Sequence, residues 1–438
     1  MLTLNDTVQA YVAEFHARAA ELDGPAELLD TRRRALSRFR EFGFPTTRHE
    51  EWKYTSVAQL AKTSFVPTQP TLNGQARELA IAGVADCRLV FVNGRYQPNL
   101  SFITALPGGV LVTNLASAFR TQGDLLAAHL TQQARFDEQQ VFVALNTALM
   151  QDGAFVYLPS GRVVEEPIHV LHISTGEGTP SVSHPRNLVI LEDDAQTTII
   201  ESYVGLNGGA YFTNAVTELV AGERTVIDHY KVELESNSAF HIATQQSRQG
   251  TGSNFSTHNI SFGGALVRND INATLAGRGS EATVNGLYVV GGRQHVDNHT
   301  GIDHAQPHCN SHELYKGVIA GSATGVFNGK IFVRRDAQKT DAKQTNQNLL
   351  LSRDATINTK PQLQIYADDV KCTHGATVGQ LDADALFYLR TRGIPRVEAE
   401  ALLTFAFASD LLGRIKIAPL RTMLEAELFQ RLPKEARA

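Results

Sequence analysis

The stretch NTKPQLQIYADDVKCTHGATVGQLDADALFYLRTRGIP, from Asn358 to Pro395, changes its period part-way along. Up to Gly379 it reads as extended chain. In a strand, Cys372 and His374 share one face about 6.6 Å apart along the chain, with Lys371 and Thr373 on the other. After Gly379 the helical period takes over. Asp382 is placed to cap a helix carrying Leu386, Leu389 and Arg390; Gly393 ends it and Pro395 opens the next. The stretch is therefore a seam between a strand-built region and a C-terminal helical region. A thiol and an imidazole on one face are candidate metal ligands. A buried cysteine beside a hydrogen-bonded histidine is the competing reading.

N-terminal to the seam, from about residue 88 to Tyr366, short runs such as Leu89-Val90-Phe91-Val92 and Phe155-Val156-Tyr157-Leu158 alternate with Asn-Gly, Ser-Gly, Asp-Asp and Gly-Gly punctuation. In Val226, Asp228, Tyr230, Val232 and Leu234 one face is mostly apolar, while His229, Lys231 and Glu233 make the other polar, which is the pattern of strands covering a core on one side. So long a run of short strands without evident helices exceeds one sandwich. A pair of sandwiches or a coiled β-solenoid remain, and pattern alone leaves both open. No fixed period marks a hexapeptide repeat, so a solenoid must have irregular coils.

Val8, Tyr11, Val12, Phe15, Ala19 and Leu22 fall at helical spacing behind Asn5, a candidate cap, until Gly24-Pro25. A second helix carries Leu28, Arg32, Ala35, Phe39 and Phe42 and is stopped by Gly43 and Pro45. Beyond Pro395, the residues Ala399, Leu402, Leu403, Ala406, Phe407 and Leu411 form one helical stripe wide enough either to pack on its neighbours, the favoured reading, or to serve a partner. Leu420, Met423, Leu424 and Leu428 indicate a further helix. The expected organisation is an N-terminal helical region (1–65), a strand core (66–379) with a mixed lead-in segment (66–150), and a C-terminal helical region (380–438).

Forty basic and 45 acidic residues, for a net charge of -5 over 438 residues, give no field suited to a phosphate backbone. Nucleic acid is not an expected partner. No apolar run nears the roughly 20 residues that cross a bilayer, and the start MLTLNDTVQAYVAEF lacks a basic region followed by an apolar core. The expected location is the cytoplasm, away from membranes. Three cysteines, Cys87, Cys309 and Cys372, make no disulfide framework.

Common enzyme signatures are missing. Gly325-Val326-Phe327-Asn328-Gly329-Lys330 has the wrong glycine spacing for a phosphate loop and no following hydroxyl, and Gly277-Arg278-Gly279 reads as a turn. H-E-x-x-H and G-x-S-x-G are absent. The stretch QHVDNHTGIDHAQPHCNSHELYK offers His295, His299, His304, His308, Cys309 and His312 as zinc or iron ligands. Pro307, Gly301 and Asn310 argue against one helix, however, and on one strand His304, His308 and His312 spread by about 13 Å at each step.

Several long runs carry a family likeness. The stretch from Asn358 to Pro395, FPTTRHEEWKYT from Phe44 to Thr55, RLVFVNGRYQP from Arg88, VFNGKIFV from Val326 and KTDAKQTNQNLLLS from Lys339 resemble the SufB/SufD scaffold family of the SUF iron–sulfur cluster assembly system. The His-Gly-Ala-Thr run at His374 and the Glu-Glu-Trp-Lys-Tyr element at Glu50 to Tyr54 are similar to its D branch, SufD, rather than to SufB. The resemblance implies a right-handed parallel β-helix between two helical regions, which decides for the solenoid. It implies a non-catalytic chain that pairs with SufB through the β-helix ends and holds the ATPase SufC through its C-terminal helices, with Tyr388, Arg392 and Gly393 near the contact. His374 falls at the junction with SufB, where it faces a cysteine of that partner and serves as a transient metal ligand in the SufBCD complex. Cys372 is a secondary candidate, with a buried spectator as the alternative.

On this reading no cofactor is held stably by the chain alone. The nascent iron–sulfur cluster is transient, ATP enters through SufC, and whether reduced flavin binds the assembled complex stays open. An unpaired solenoid end also makes a homodimer of the isolated chain an expectation. Two other classes compete: a secreted-type β-helix enzyme acting on acidic polysaccharide through Asp368 and Asp369, and a stand-alone iron-binding protein using the histidine-rich stretch. Adjacent carboxylates on a strand point to opposite faces, which weakens the first.

Overall fold

A computed structural model describes residues 4–17, 26–69, 87–136, 140–176 and 178–432. From Ile168 onward the chain places strands alternately in two sheets. One sheet stacks Cys87–Val92, Ile168–Ser174, Gln196–Gly205, Val226–Leu234, Asn254–Ser261, Glu281–Val290, Asn310–Ile319, Asp341–Leu350 and Lys371–Gly379, each parallel to the next. The other stacks Arg186–Leu191, Tyr211–Ala221, Phe240–Gln249, Leu266–Leu275, His295–His304, Thr324–Val333 and Thr356–Ile365 in the same way. The fold is a parallel β-solenoid flanked by helices, not a pair of sandwiches. From Ile168 onward, register partners in the first of these sheets follow at steps of 27 to 31 residues, so the coils are irregular in length.

The coils turn at a repeated corner. Asp194, Arg224, Gly252, Gly279, His308 and Lys339, one per coil, all adopt positive φ between 54° and 68°. The amide of each donates to a carbonyl of the following coil, from Asp194 N to Glu223 O (2.8 Å) up to Lys339 N to Asp369 O (2.7 Å). The left-handed conformation is what bends the chain out of one sheet, and the ladder satisfies backbone groups that the bend removes from the strands.

Both faces of the strand Val226–Leu234 are largely buried, which corrects the one-sided pattern expected for it from sequence. His229, Lys231 and Glu233 do not face solvent; they point into the solenoid and are buried there. Lys231 pairs with Glu233 and donates to Asn269 Oδ1 (2.7 Å), while His241 lies 3.2 Å from Glu233 and 3.0 Å from Glu235. The apolar face of the same strand points outward. Tyr230 and Val232, with Ile260, Phe262, Leu287 and Val289, pack under Ala408, Leu411, Leu412, Leu420, Leu424 and Leu428 of the C-terminal helices Arg396–Leu412 and Ala418–Arg431. Within Arg396–Leu412 the expected stripe is partly displaced: Ala399 and Leu411 are buried as expected, Leu402 and Ala406 are exposed, and Thr404 and Ala408 are buried in their place.

The N-terminal helices Leu4–Ala17 and Ala26–Phe42 cover the other sheet through Val182, Phe212, Phe240 and Leu266. Asn5 lies inside the first helix, not ahead of it as a cap. Ala19, Leu22, Gly24 and Pro25 lie outside the described residues. Among its described residues, the run read as strands from residue 88 also contains three helices, Leu115–Thr121, Gly123–His129 and Val141–Leu149. The first two span seven residues each, too short for a clear helical period. The third is buried at every position, so it has no polar face to reveal that period.

A buried ion pair fastens this segment to the first coils. Arg186 and Glu218 are fully buried and paired at 2.5 Å; Arg186 also reaches Asn146 Oδ1 and Thr147 Oγ1, and Glu218 accepts from the amides of Thr131, Gln133 and Ala134. Removing one partner strands a charge in the interior. Glu218→Ala should cost about 3–5 kcal/mol, read as a lower urea midpoint with the β-rich circular dichroism retained before the transition. A midpoint equal to wild type would mean that the pair is not holding the segment in place.

Candidate functional site: the open end of the solenoid

Among the described residues, the last coil has no coil beyond it. Thr356–Ile365 and Lys371–Gly379 each pair on one side only, and nearly every residue of the latter is exposed. Such an edge presents unpaired backbone N–H and C=O groups in a row, a template for another strand. Pro361 sits inside Thr356–Ile365, a position tolerated because the strand is an edge.

His374 stands on this last strand in register with Gln344, which is itself in register with Glu313. Gln344 is buried while its neighbour Lys343 is exposed, so the alternation assigns Cys372, His374 and Ala376 to the inward side. With no coil above, His374 is nevertheless exposed. Cys372 is half-buried and packs against the core beneath, and burial pushes its thiol up. A raised thiol holds less thiolate at neutral pH, which weakens Cys372 as a ligand until a metal displaces the proton.

Beneath His374 the interior is polar. Gln344 Nε2 donates to Glu313 Oε2 at 2.7 Å, and both side chains are buried. Burial pushes the Glu313 carboxyl up to about 7 from the ordinary 4.5, against the opposing effect of hydrogen bonds such as that from Gln344. The folded chain therefore binds this proton more tightly than the unfolded chain. Stability from Glu313 is greatest below about pH 4.5 and falls as pH rises through 7, by at most about 3 kcal/mol. In Glu313→Gln this slope should vanish, so that the variant gains on wild type between pH 5 and pH 8 in urea titrations. Parallel slopes in the two proteins would show that Glu313 is ionised throughout.

The histidine-rich stretch does not assemble a metal site. Among the described residues no three His, Cys, Asp or Glu side chains gather to hold an ion. The six candidates are spread over two strands and a corner. His295 Nε2 meets Thr55 Oγ1 (2.9 Å), His299 pairs with Asp297 (3.1 Å) and Glu51 (3.4 Å), and His304 Nε2 meets Ser311 Oγ (2.9 Å). His308 is a corner residue, Cys309 is buried against Ser280, and His312 is exposed. Asp368 and Asp369 are tied to Gln338 and Lys339 in the final turn and form no acid–base pair.

The element Phe44 to Thr55 clasps the outer face of the sheet. The Arg268 guanidinium lies 3.9 Å from the Trp52 ring centroid and donates to Glu51 O (2.6 Å), Thr55 Oγ1 donates to Asp297 Oδ2 (2.6 Å), and Glu50 pairs with Lys360 of the terminal coil (2.5 Å). The clasp thus reaches the open end.

At the other candidate surface, Asp382 Oδ1 accepts from the Ala385 amide (2.8 Å) and starts the helix Ala383–Thr391. No residue of this helix is buried. Phe387 and Tyr388 are 68% and 57% exposed, Arg392 stacks 5.2 Å from the Tyr388 ring, and Gly393 turns the chain at φ 84°, a conformation that suits glycine.

Two protein-family models match the chain: the SUF system FeS cluster assembly SufBD core domain over residues 172–407, and the SufBD protein N-terminal region over 5–170. The chain belongs to the SufBD family. An iron–sulfur cluster assembly SufBD family protein of Synechocystis is 37% identical, covering 91% of this chain and 89% of its own length. The iron–sulfur cluster assembly protein SufD of Escherichia coli is 33% identical over 90% and 91%, and SufD of Bacillus subtilis 26% identical over 95% and 96%. The SufBD core match spans the whole last coil and the helix after it, so His374, Cys372, Tyr388, Arg392 and Gly393 all fall inside it. No helix of the described residues is long and apolar enough to cross a membrane.

Gln344 and Glu313 were missed by sequence reasoning. The signal was present in KTDAKQTNQN, where Ala342, Gln344, Asn346 and Asn348 alternate with Lys343, Thr345 and Gln347. The amides Gln344, Asn346 and Asn348, all on the side away from the charged Asp341 and Lys343, mark an interior polar face.

Proposed function

We propose that this chain is a non-catalytic scaffold subunit of the SUF machinery. It pairs with a SufB-type paralogue across its open solenoid end, and it carries a SufC-type ATPase on its C-terminal helices. The nascent cluster is the cargo of the junction. The observation that carries the reading is the placement of His374, an exposed imidazole on a terminal strand with an unpaired edge, inside a SufBD core domain. Imidazole nitrogen is a suitable ligand for cluster iron, and a site shared across an interface explains why this chain needs no cysteine set of its own.

The exposed helix Ala383–Thr391 supports the ATPase contact. Its aromatic and arginine residues are the types enriched at the centres of protein interfaces. Gly325 to Lys330, the nearest sequence to a phosphate loop, lies within the strand Thr324–Val333, so ATP enters the complex through the partner. Self-association through the same edge is the expected state of the chain when the paralogue is missing.

The test is co-purification. The tagged chain, co-expressed with the other products of its SUF system, should bring down a P-loop ATPase and a paralogue of its own family. Recovery of the tagged chain free of both would overturn the proposal.

A further inference from the structure

One coil below His374, the Gln344 amide is only half used. Its Nε2 donates to Glu313 Oε2, but its carbonyl oxygen Oε1 is buried with no hydrogen-bond partner among the described residues. A buried amide oxygen left bare is costly, by about 1–3 kcal/mol, and calls for a donor. Two neighbours fix its position. Glu313 takes the NH2 end, which sets the flip of the amide and leaves its oxygen free of Glu313. Gly329, facing Gln344 from the opposite sheet, makes room: a Cβ there would come within 2.4 Å of Gln344 Nε2 and 2.9 Å of Cδ. The next inward residue in the stack is His374. In-register residues of adjacent strands are about 4.8 Å apart, so an imidazole turned inward lies over the Gln344 side chain.

We propose that Gln344 is the positioning residue for His374. Its Oε1 accepts the N–H of one imidazole nitrogen when the junction closes, which leaves the lone pair of the other nitrogen directed outward to the iron of the nascent cluster. Glu313 and Gly329 hold the amide in the orientation that this requires. The inference rests on the reading of His374 as a junction ligand and adds what orients it. A histidine that ligates a metal through one nitrogen is held by a hydrogen bond from the other, which fixes the tautomer and raises basicity; loss of such a partner costs about 10–100-fold in affinity or activity.

The experiment compares four full-length chains co-expressed with their SUF partners: wild type, His374→Ala, Gln344→Met and Gln344→Glu. Cluster formation in cells, assembly of the complex and the urea midpoint of the isolated chain are measured for each. Methionine keeps the length and bulk of glutamine and removes the acceptor. Cluster formation should fall about tenfold or more in Gln344→Met with the complex still assembled. Gln344→Glu should recover most of that loss, because its carboxylate still accepts from His374 and the protonated Glu313 carboxyl can donate to it. A merely structural role would not give that rescue. Wild-type cluster formation in Gln344→Met beside a loss in His374→Ala would overturn this inference and leave the junction reading intact; wild-type formation in both would remove the junction reading as well. Should Gln344→Met fail to fold, Gly329→Ala, which pushes the amide aside, carries the test: it should lower cluster formation as far, and an unchanged level would overturn the assignment.

Discussion

His374→Ala should abolish most cluster formation in cells, by about tenfold or more, while the complex still assembles and the fold is unchanged. The imidazole is exposed on the last strand, and no hydrogen bond holds it to the rest of the chain among the described residues. Its removal therefore leaves neither a cavity nor a stranded partner, and stability should stay within about 0.5 kcal/mol of wild type. Nor is His374 able to act as the switch that opens the junction. Moving a two-state contact from mostly closed to mostly open takes a differential of about 5.5 kcal/mol, which pairing of two ATPase subunits can supply and one histidine cannot. Its loss should be felt in the chemistry alone. A complex that fails to assemble would make His374 structural, and unchanged cluster formation would take it out of the site.

The second large effect lies 14 residues further along, at Tyr388. Deleting the whole C-terminal region is a poor probe, because its last two helices cover Tyr230, Val232, Phe262 and Leu287 and their removal would bare an apolar face of the sheet. The helix Ala383–Thr391 offers a cleaner one, since nothing in it is buried. Tyr388→Ala combined with Arg392→Ala removes a stacked aromatic–guanidinium pair from the surface and touches no core residue. If this pair is at the centre of the ATPase contact, binding should weaken by at least about 2 kcal/mol, roughly 30-fold in Kd. Calorimetric titration of the ATPase into the double variant measures this directly. Equal affinity for wild type and variant would move the docking surface elsewhere.

The seam at Asn358 to Pro395 was legible because its punctuation is local. Asp382, Gly393 and Pro395 act within their own turns, and all three do in the structure what their types imply. The solenoid was not legible from pattern, because its repeat lies in backbone conformation rather than in residue type. The corner that recurs at Asp194, Arg224, Gly252, Gly279, His308 and Lys339 is occupied by five different amino acids. An asparagine- or glycine-only corner would have shown its period. The polar interior was hidden for a different reason. Alternation in Val226 to Leu234 is symmetric in sequence, and only the helices packed on Tyr230 and Val232 reveal that the apolar face is the outer one. In the site, the shared face of Cys372 and His374 followed from spacing. That His374 lies at an unpaired edge, above a buried amide with a bare oxygen, depends on the chain ending its solenoid there.

Hydrogen–deuterium exchange at the terminal strand tests the central claim most directly. In the isolated chain at low concentration, backbone amides of Lys371–Gly379 that face the open edge should exchange far faster than those of Asp341–Leu350 one coil below, where strands pair on both sides. Adding the SufB-type paralogue should protect the strands Thr356–Ile365 and Lys371–Gly379 and leave the helix Ala383–Thr391 unchanged until the ATPase is added. A stable complex with the paralogue in which the terminal strands exchange as fast as before would contradict the account.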